Sequence, residues 1–178
     1  TDKDLNATME HFSDNIISVG ASQWQSNVNL SYGQEYVNLS LEGVYPNFTE
    51  VESVKSTDGR FINDIDLKER RKVIVLHTKT AEILFGKSKT EPIGKFVNAG
   101  GVSYQVVGLY TDPGDQGSSE AYIPFSTLQV IYNKGDKLNN LTFTTKGLTT
   151  IETNEAFEAA YRKVTVSYTH LTLPTTPY

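Results

Sequence analysis

Cysteine is absent from this chain of 178 residues. Its absence excludes a disulfide framework, a thiolate metal site and a cysteine nucleophile. Long apolar runs are also missing, since no stretch approaches the roughly 20 apolar residues of a membrane-spanning helix. The chain begins with the polar and charged run Thr1-Asp2-Lys3-Asp4, so we expect no signal peptide at this end.

Positive charge is scarce. Sixteen lysines and arginines against 21 acidic residues give a formal net charge of −5, which argues against a nucleic-acid-binding surface, because such surfaces are normally basic. The exception is the short segment Lys68-Glu69-Arg70-Arg71-Lys72. Charged runs usually face water, so we expect this segment to be a solvated turn before a strand.

The sequence contains no strong motif for catalysis or metal binding. None of the three histidines, His11, His77 and His170, has a partner at metal-ligand spacing. His77 follows a buried-looking strand, which is typical of a packed or capping histidine. Asp64 with Asp66, and Asp112 with Asp115, lack the full pattern of a calcium loop, and we expect them to be solvated loop residues. The sequence therefore predicts no catalytic, metal-binding or cofactor-binding residue.

The segment Gly86-Lys87-Ser88 imitates the end of a phosphate-binding loop. That pattern needs another glycine five positions before the second one, where this chain has Ala81, and a helix that follows the loop. Here the helical pattern precedes Gly86. We expect no nucleotide site at this position.

The ten tyrosines and eight phenylalanines can form a core without disulfides. The length permits one domain or two small lobes. Within 54–112, a turn at Asp58-Gly59-Arg60-Phe61 precedes the apolar run 73–76, which predicts a buried strand. A helix is predicted over 78–85, ended by Gly86 in a left-handed conformation. Residues 95–98 and 102–110 alternate around Ala99-Gly100-Gly101, as in a β-hairpin.

The flanking parts also have readable periodicity. Before the central stretch we predict an amphipathic helix over 4–15, a strand over 16–19, a loop or irregular strand over 22–34, a strand over 36–45 and a short helix within 48–54. After it we predict a loop over 112–119, a strand over 121–123, a helix capped by Ser126 and a strand over 141–145. A capping box at 149–152 precedes the last helix, whose apolar stripe is Phe157, Ala160, Tyr161 and Val164.

Five short motifs follow one another in a fixed order: Gly59-Arg60-Phe61, Leu84-Phe85-Gly86, Ile93-Gly94-Lys95, Val106-Val107-Gly108 and Tyr122-Ile123-Pro124. Together with residues 17–21 and 44–46 upstream, this order resembles the extracytoplasmic core domain of MacB/FtsX-type ABC transporter permeases. The similarity covers most of residues 15–163.

The resemblance and the periodicity together predict an α+β fold with two lobes. A split βαβ-type lobe would use the N-terminal helix, the strands at 16–19 and 141–145, and the last helix, at 153–164. A β-rich inserted lobe would span about 32–122. We expect the MacB-like periplasmic core domain to occupy residues 1–165 in truncated form, cut between flanking membrane helices.

The resemblance also implies a function. It predicts a non-catalytic domain on the periplasmic or extracytoplasmic side of the bacterial inner membrane, coupling cytoplasmic ATP hydrolysis to movement of an extracytoplasmic partner or substrate. The implied partners are its own flanking transmembrane helices, a separate ATPase domain or subunit, a second permease copy and a periplasmic adaptor protein. No cofactor and no nucleic acid are implied.

Two other functions stay open from sequence. A stand-alone exported binding module would capture a peptide, lipid or glycan with exposed members of an early aromatic group, formed by Trp24, Tyr32, Tyr36, Tyr45 and Phe48. A hydrolase would use a pair of the 21 acidic residues in a cleft.

The last 13 residues, 166–178, contain no lysine, arginine, aspartate or glutamate. We interpret them as a vector-derived tail that replaces native sequence. Their alternation is typical of a β-strand, so we expect the tail to add to an exposed sheet edge.

Overall fold

A computed structural model describes residues 10, 12, 16–51, 54–86, 91–112, 120–135, 139–145 and 150–164. Eight strands are described: β1 (Ile16–Tyr32), β2 (Glu35–Val44), β3 (Lys55–Gly59), β4 (Val73–His77), β5 (Phe96–Ala99), β6 (Val102–Thr111), β7 (Glu120–Pro124) and β8 (Asn140–Thr145). The helices are α1 (Phe48–Val51), α2 (Asp64–Lys68), α3 (Thr78–Phe85), α4 (Phe125–Ile131) and α5 (Ile151–Val164).

The strands form one mixed sheet that closes on itself. Its order is β2-β7-β4-β6-β5-β1-β8, and β1 also pairs with β2, so six of the strands make a closed ring. β3 pairs with β6 outside this path, and β8 extends the sheet from the first part of β1. The β2–β7 and β4–β6 pairs are parallel and the other pairs are antiparallel. Closure leaves no free edge on the ring itself.

The main core lies inside the ring, because one apolar cluster draws side chains from all six of its strands and from α3 and α4. Alternation in β5 and β6 places Val97 and Ala99, and Tyr104 and Val106, on this inner side. A second cluster outside the ring joins β2, β4, β6 and β7 to α1. Removing such side chains from water supplies about 1.5–3 kcal/mol each. The ring is therefore packed on its inner face and, at β2, β4, β6 and β7, on its outer face as well.

Most predicted elements are confirmed. The apolar run became β4, the helix spans 78–85, and Gly86 follows it with φ +78°. The hairpin turns through Gly100 and Gly101, whose φ values are +59° and +88°, a conformation that glycine adopts with little strain. The α+β class is confirmed as well. All described strands belong to one hydrogen-bonded sheet, and the division into two lobes stays a prediction.

Several local predictions are wrong. Ser126 does not cap α4: the cap is Pro124, without a side-chain hydrogen bond, and the Ser126 hydroxyl instead donates to the Leu67 carbonyl. The turn expected at 58–61 begins as strand, since β3 continues to Gly59. By contrast, the prediction of a loop or irregular strand over 22–34 is confirmed in its second form, since residues 22–32 are strand with an irregularity between Gln25 and Val28.

The last helix differs from its prediction in two details. Its N-terminus is capped one residue later than expected, by Thr150, whose hydroxyl accepts from the Thr153 N–H at 3.2 Å. Ala160 is exposed instead of belonging to the apolar face. Phe157 and Tyr161 are buried, and both rings pack against Phe12, at centroid distances of 5.2 and 5.8 Å. Apart from residues 10 and 12, the predicted N-terminal helix lies outside the described residues, as do loop residues 113–119 and the tail.

Candidate functional site

A buried carboxylate organises the connection between β3 and α2. Asp66 is fully buried, and its two oxygens accept hydrogen bonds from the Arg60 guanidinium at 2.5 and 3.0 Å. The Asp66 carboxylate also accepts from the Asn63 N–H at 3.1 Å, while the Asn63 side chain accepts from the Asp66 N–H at 3.0 Å. This reciprocal pair is a capping box. Asp66 is therefore a structural counter-ion, and its expected solvation is wrong; Asp64 is exposed as expected.

The residues after α2 are tied to α4. The Ser126 hydroxyl donates to the Leu67 carbonyl at 2.5 Å, and the Thr127 hydroxyl donates to the Arg71 carbonyl at 2.9 Å. Both hydroxyls belong to the first turn of α4, and Thr127 is buried. Two side chains of one helix thus satisfy two carbonyls of the charged turn, so the turn and α4 are held together as one unit.

Glycine permits a close backbone approach where β3 meets β6. A methyl group at Gly108 would lie 2.0 Å from the Arg60 carbonyl oxygen, and one at Gly59 would lie 2.4 Å from the Val107 carbonyl oxygen. Gly59 also has φ +67°. The Arg60 N–H donates to the Val107 carbonyl at 2.9 Å. The Gly-Arg-Phe and Val-Val-Gly motifs are therefore two sides of one contact.

His77 is confirmed as a packed, capping residue. It is fully buried at the N-cap of α3, and its Nδ1 accepts from the Lys79 N–H at 3.2 Å. With Nδ1 accepting, we assign the proton to Nε2, which lies 3.3 Å from Asp112 Oδ1. The ring stands edge-on to Tyr110 at 5.1 Å. Both nitrogens have structural partners, and the buried ring has no open position for a reactant.

Buried tyrosines surround this region and the ring interior. Burial raises the pKa of Tyr122, and the neighbouring Tyr110 and Glu42 add to the rise. Burial also raises the pKa of Tyr104, with Tyr132 beside it contributing. Raised pKa values keep these phenols neutral at ordinary pH, so they pack as apolar rings with a polar tip. The Tyr110 hydroxyl donates to the Glu120 carbonyl at 3.0 Å.

The early aromatic residues do not form one surface patch. Tyr32 packs on Phe85 with ring centroids 4.3 Å apart, and Tyr45 stacks on Phe125 at 4.9 Å. Phe48 is buried in the second core cluster. Tyr36 is 68% exposed, and Trp24 is half-buried. The predicted docking patch is therefore reduced to isolated exposed rings, and most of these residues have structural roles.

The Arg60–Asp66 pair was not predicted from the sequence. The available signal was the spacing Asn63-x-x-Asp66 before an apolar residue, a variant of the capping box. Among the described residues, no three histidine or acidic side chains converge as metal ligands, and no helix has the length and apolarity to cross a bilayer. Gly86 follows a helix instead of preceding one, as predicted, while residues 87 and 88 lie outside the described residues.

Structures with this fold include extracellular domains of ABC transporter permeases. The extracellular domain of the ABC-type transporter YknZ from Gram-positive bacteria superposes with a TM-score of 0.73 and 28% identity, covering 88% of this chain and 76% of that one. The periplasmic region of MacB from Actinobacillus actinomycetemcomitans gives a TM-score of 0.71, covering 90% and 73% of the two chains. Its identity is 21%, so this second comparison concerns the fold alone.

Sequence comparison leads to the same class of protein. The macrolide export ATP-binding/permease protein MacB of Chlorobaculum tepidum is 31% identical over 103 residues, 55% of this chain and 15% of that protein. The ABC transporter permease YknZ of Bacillus subtilis is 27% identical over 111 residues, 61% of this chain and 28% of its own length. The chain spans 15–17% of the length of several MacB relatives.

The fold and these relatives define the class: an extracytoplasmic domain of an ABC transporter permease. Residues 1–160 match the family described as the MacB-like periplasmic core domain, and the chain belongs to that family. The resemblance stated from the sequence motifs is thereby confirmed.

Proposed function

We propose that this chain is a non-catalytic mechanical element of a transporter. In this function it couples ATP hydrolysis in the cytoplasm to movement of a partner or substrate on the extracytoplasmic side of the bacterial inner membrane. Efflux and force transmission to another protein are the two forms that this movement can take. Family membership supports the proposal, as does the use of the buried Asp66 and His77 for structural bonds.

The observation that carries the proposal is the length and pairing of β1. This strand has 17 residues, Ile16–Tyr32, and a strand of that length extends about 55 Å. Its first part pairs with β8 through Ser22, and its second part pairs with β2 from Ser22 to Tyr32. One continuous strand therefore links the part that carries the terminal elements to the closed ring. A strand bonded along its length transmits a displacement as a rigid body.

The same strand supports the division into two lobes. The split βαβ-type lobe would contain the first part of β1, β8 and α5, and the inserted β-rich lobe, about 32–122, would contain most of the ring. Register shifts between Gln25 and Val28, and Asn27 has φ +58°. This bulge bends the strand and increases its twist. Pairing with β2 continues on both sides of the bulge, so the strand passes from one lobe to the other without a break.

The proposed partners are those that membership of the family suggests. The chain would stand on its own flanking transmembrane helices and receive movement from an ATPase domain or subunit, since MacB relatives are named as ATP-binding/permease proteins. A second permease copy and a periplasmic adaptor protein would complete the assembly. No nucleic acid is proposed, in keeping with the net charge of −5.

A flexible insertion in the whole transporter tests the coupling. Insertion of Gly-Ser-Gly-Ser between Ser26 and Asn27 would interrupt the rigid strand. We expect ATP hydrolysis to persist, while the insertion variant fails to restore the phenotype lost on deletion of the gene. The control carries the same insertion between Gly33 and Gln34, in the exposed β1–β2 turn, and should restore that phenotype. Equal function of the two variants would refute transmission through β1.

The gene sequence on either side of the region that encodes this chain provides a second test. We expect apolar segments of about 20 residues that flank the domain and can span the membrane. A cleavable signal peptide upstream with no later membrane helix would overturn the transmitter and favour the stand-alone exported binding module.

A further inference from the structure

The tertiary structure brings a further lysine, Lys95, close to the basic segment 68–72. The Lys72 carbonyl accepts from the Gln105 N–H at 2.9 Å, and the Lys95 carbonyl accepts from the Val106 N–H at 2.8 Å. Lys72 and Lys95 thus lie on opposite sides of adjacent residues of β6. Neighbouring strands are about 4.8 Å apart, so the two lysine backbones are about 10 Å apart.

An exposed aromatic side chain completes this surface. Phe96 follows Lys95, pairs with Gln105 across the β5–β6 ladder, and is 60% exposed. We call the surface formed by Lys68, Arg70, Lys72, Lys95 and Phe96 the basic rim. Its cationic members are all exposed.

The positive charges of the basic rim are largely uncompensated. Of the neighbouring cations, Arg71 pairs with Glu69 at 2.8 Å and also lies 3.9 Å from the buried Asp66. Lys68, Arg70, Lys72 and Lys95 form no ion pair within the part of the chain that the structure describes. The other acidic residues nearby in sequence, Asp64 and Glu91, are exposed. The surface keeps an excess of positive charge in a chain of net charge −5.

The backbone beneath the rim is held in place. Arg70 has φ +51°, an uncommon value for a residue with a side chain. On either side of it, the Ser126 and Thr127 hydroxyls bond the carbonyls of Leu67 and Arg71. Binding to a surface that is already ordered loses less conformational entropy than binding to a free loop. The rim is therefore a preorganised cationic surface.

We propose that the basic rim is a docking surface for an acidic segment of a protein partner outside the membrane. The four rim cations belong to a chain of net charge −5, so the rest of the chain is net negative and the field favours approach of such a segment at the rim. Phe96 supplies the kind of aromatic anchor that interfaces use. A bilayer of anionic lipids fits less well, because its extended charge would face the acidic surface as well as the rim. The inference rests on the proposed function for the side of the membrane on which the partner lies.

Fluorescence anisotropy tests this surface, with the 178-residue chain and a short fluorescein-labelled peptide of alternating glutamate and leucine as the probe. We expect saturable binding that weakens as NaCl is raised, because exposed charge pairs are screened. The double variant Lys72→Glu/Lys95→Glu should bind about tenfold more weakly. Phe96→Ser should also weaken binding, and this loss should persist at high salt. Fluorescence of the single tryptophan, Trp24, checks that the variants stay folded.

The matched control is Lys55→Glu, which makes the same charge change as either single rim variant, Lys72→Glu or Lys95→Glu, at an exposed site of β3, opposite Thr111. Each single rim variant should bind about threefold more weakly. The control site is six residues along β6 from Gln105, about 20 Å away, so its effect should be at most about twofold. An equal loss in the control would overturn the proposal and indicate only general charge attraction. Absence of peptide binding would overturn it too.

Vesicles of phosphatidylglycerol and phosphatidylcholine form the second arm of the experiment. Binding to these vesicles without binding to the peptide would assign the surface to the membrane and overturn the proposal. Neither arm uses the ATPase or the intact transporter. A negative result here, with the β1 insertion behaving as expected, therefore removes the docking surface and leaves the transmitter function in place.

Discussion

Neutralisation of Asp66 is the sharpest test of how this domain is stabilised. The change Asp66→Asn preserves the size of the side chain and one carbonyl-type oxygen, so the Asn63 N–H can keep an acceptor. It removes the negative charge that the Arg60 guanidinium contacts at 2.5 and 3.0 Å. Because the Asp66 side chain is fully buried, water cannot reach the asparagine side chain that takes its place. Stability should fall sharply although the shape is conserved.

The magnitude follows from the bonds that are lost. Hydrogen bonds to charged groups contribute about 1.5–3 kcal/mol each. Arg60 is 41% exposed, so water solvates its freed guanidinium and the loss is less than for a fully buried pair. We expect a decrease of about 3 kcal/mol in the free energy of unfolding. For a chain of this size that corresponds to a decrease in melting temperature of about 6–12 °C.

Thermal and urea unfolding, followed by circular dichroism, measure this decrease. The matched control is Asp64→Asn, which removes the same charge from the same first helical turn at an exposed position. It should cost no more than about 0.5 kcal/mol. If the two variants are equally stable, Asp66 is not the counter-ion that stabilises this connection. If Asp66 is the counter-ion, Arg60→Gln should lower the free energy of unfolding much less in the Asp66→Asn variant than in the unchanged protein, because both changes remove one shared interaction.

Two further substitutions test packing with opposite expected signs. Gly108→Ala places a methyl group 2.0 Å from the Arg60 carbonyl oxygen and should lower the free energy of unfolding, measured in urea, by about 3 kcal/mol. The control Gly101→Ala places its methyl group in open space, so only the strain of a φ of +88° remains and the loss should be about 1 kcal/mol. Equal losses would contradict the close approach of β3 to β6. Tyr104→Phe removes a buried hydroxyl that has no hydrogen-bond partner of ordinary length among the described residues. The melting temperature should stay unchanged or rise, because no hydrogen bond is lost. A clear decrease would show that the hydroxyl is bonded, with Tyr132 as the nearest candidate.

Secondary structure could be predicted from the sequence wherever interactions between neighbouring residues decide it. The apolar run of β4, the face of α3 with Gly86 after it, and the Gly100-Gly101 hairpin all follow from periodicity and from the freedom of glycine at positive φ. His77 was recognised as a capping residue for the same reason, since its bond to the Lys79 N–H spans only two positions.

The errors arose where tertiary packing decides the outcome. Ser126 looked like a cap, yet its hydroxyl bonds the Leu67 carbonyl, 59 positions earlier in the chain. Asp66 looked like a solvated loop residue, and burial with Arg60 made it a counter-ion. The Leu67 partner of Ser126 lies far outside a window of neighbouring residues. Arg60 and Asn63 lie within six positions of Asp66, and there the sequence did not show that packing of the whole fold buries the carboxylate.

The sequence by itself determined the family, the element types and the turns, because motif order, side-chain periodicity and glycine conformations are properties of adjacent residues. Only the tertiary structure decided how β1 closes the ring with β2, and how Lys95 and Phe96 come to lie beside the charged turn. These contacts depend on strand register and on loop closure between distant segments, whose free energies are summed over the whole fold.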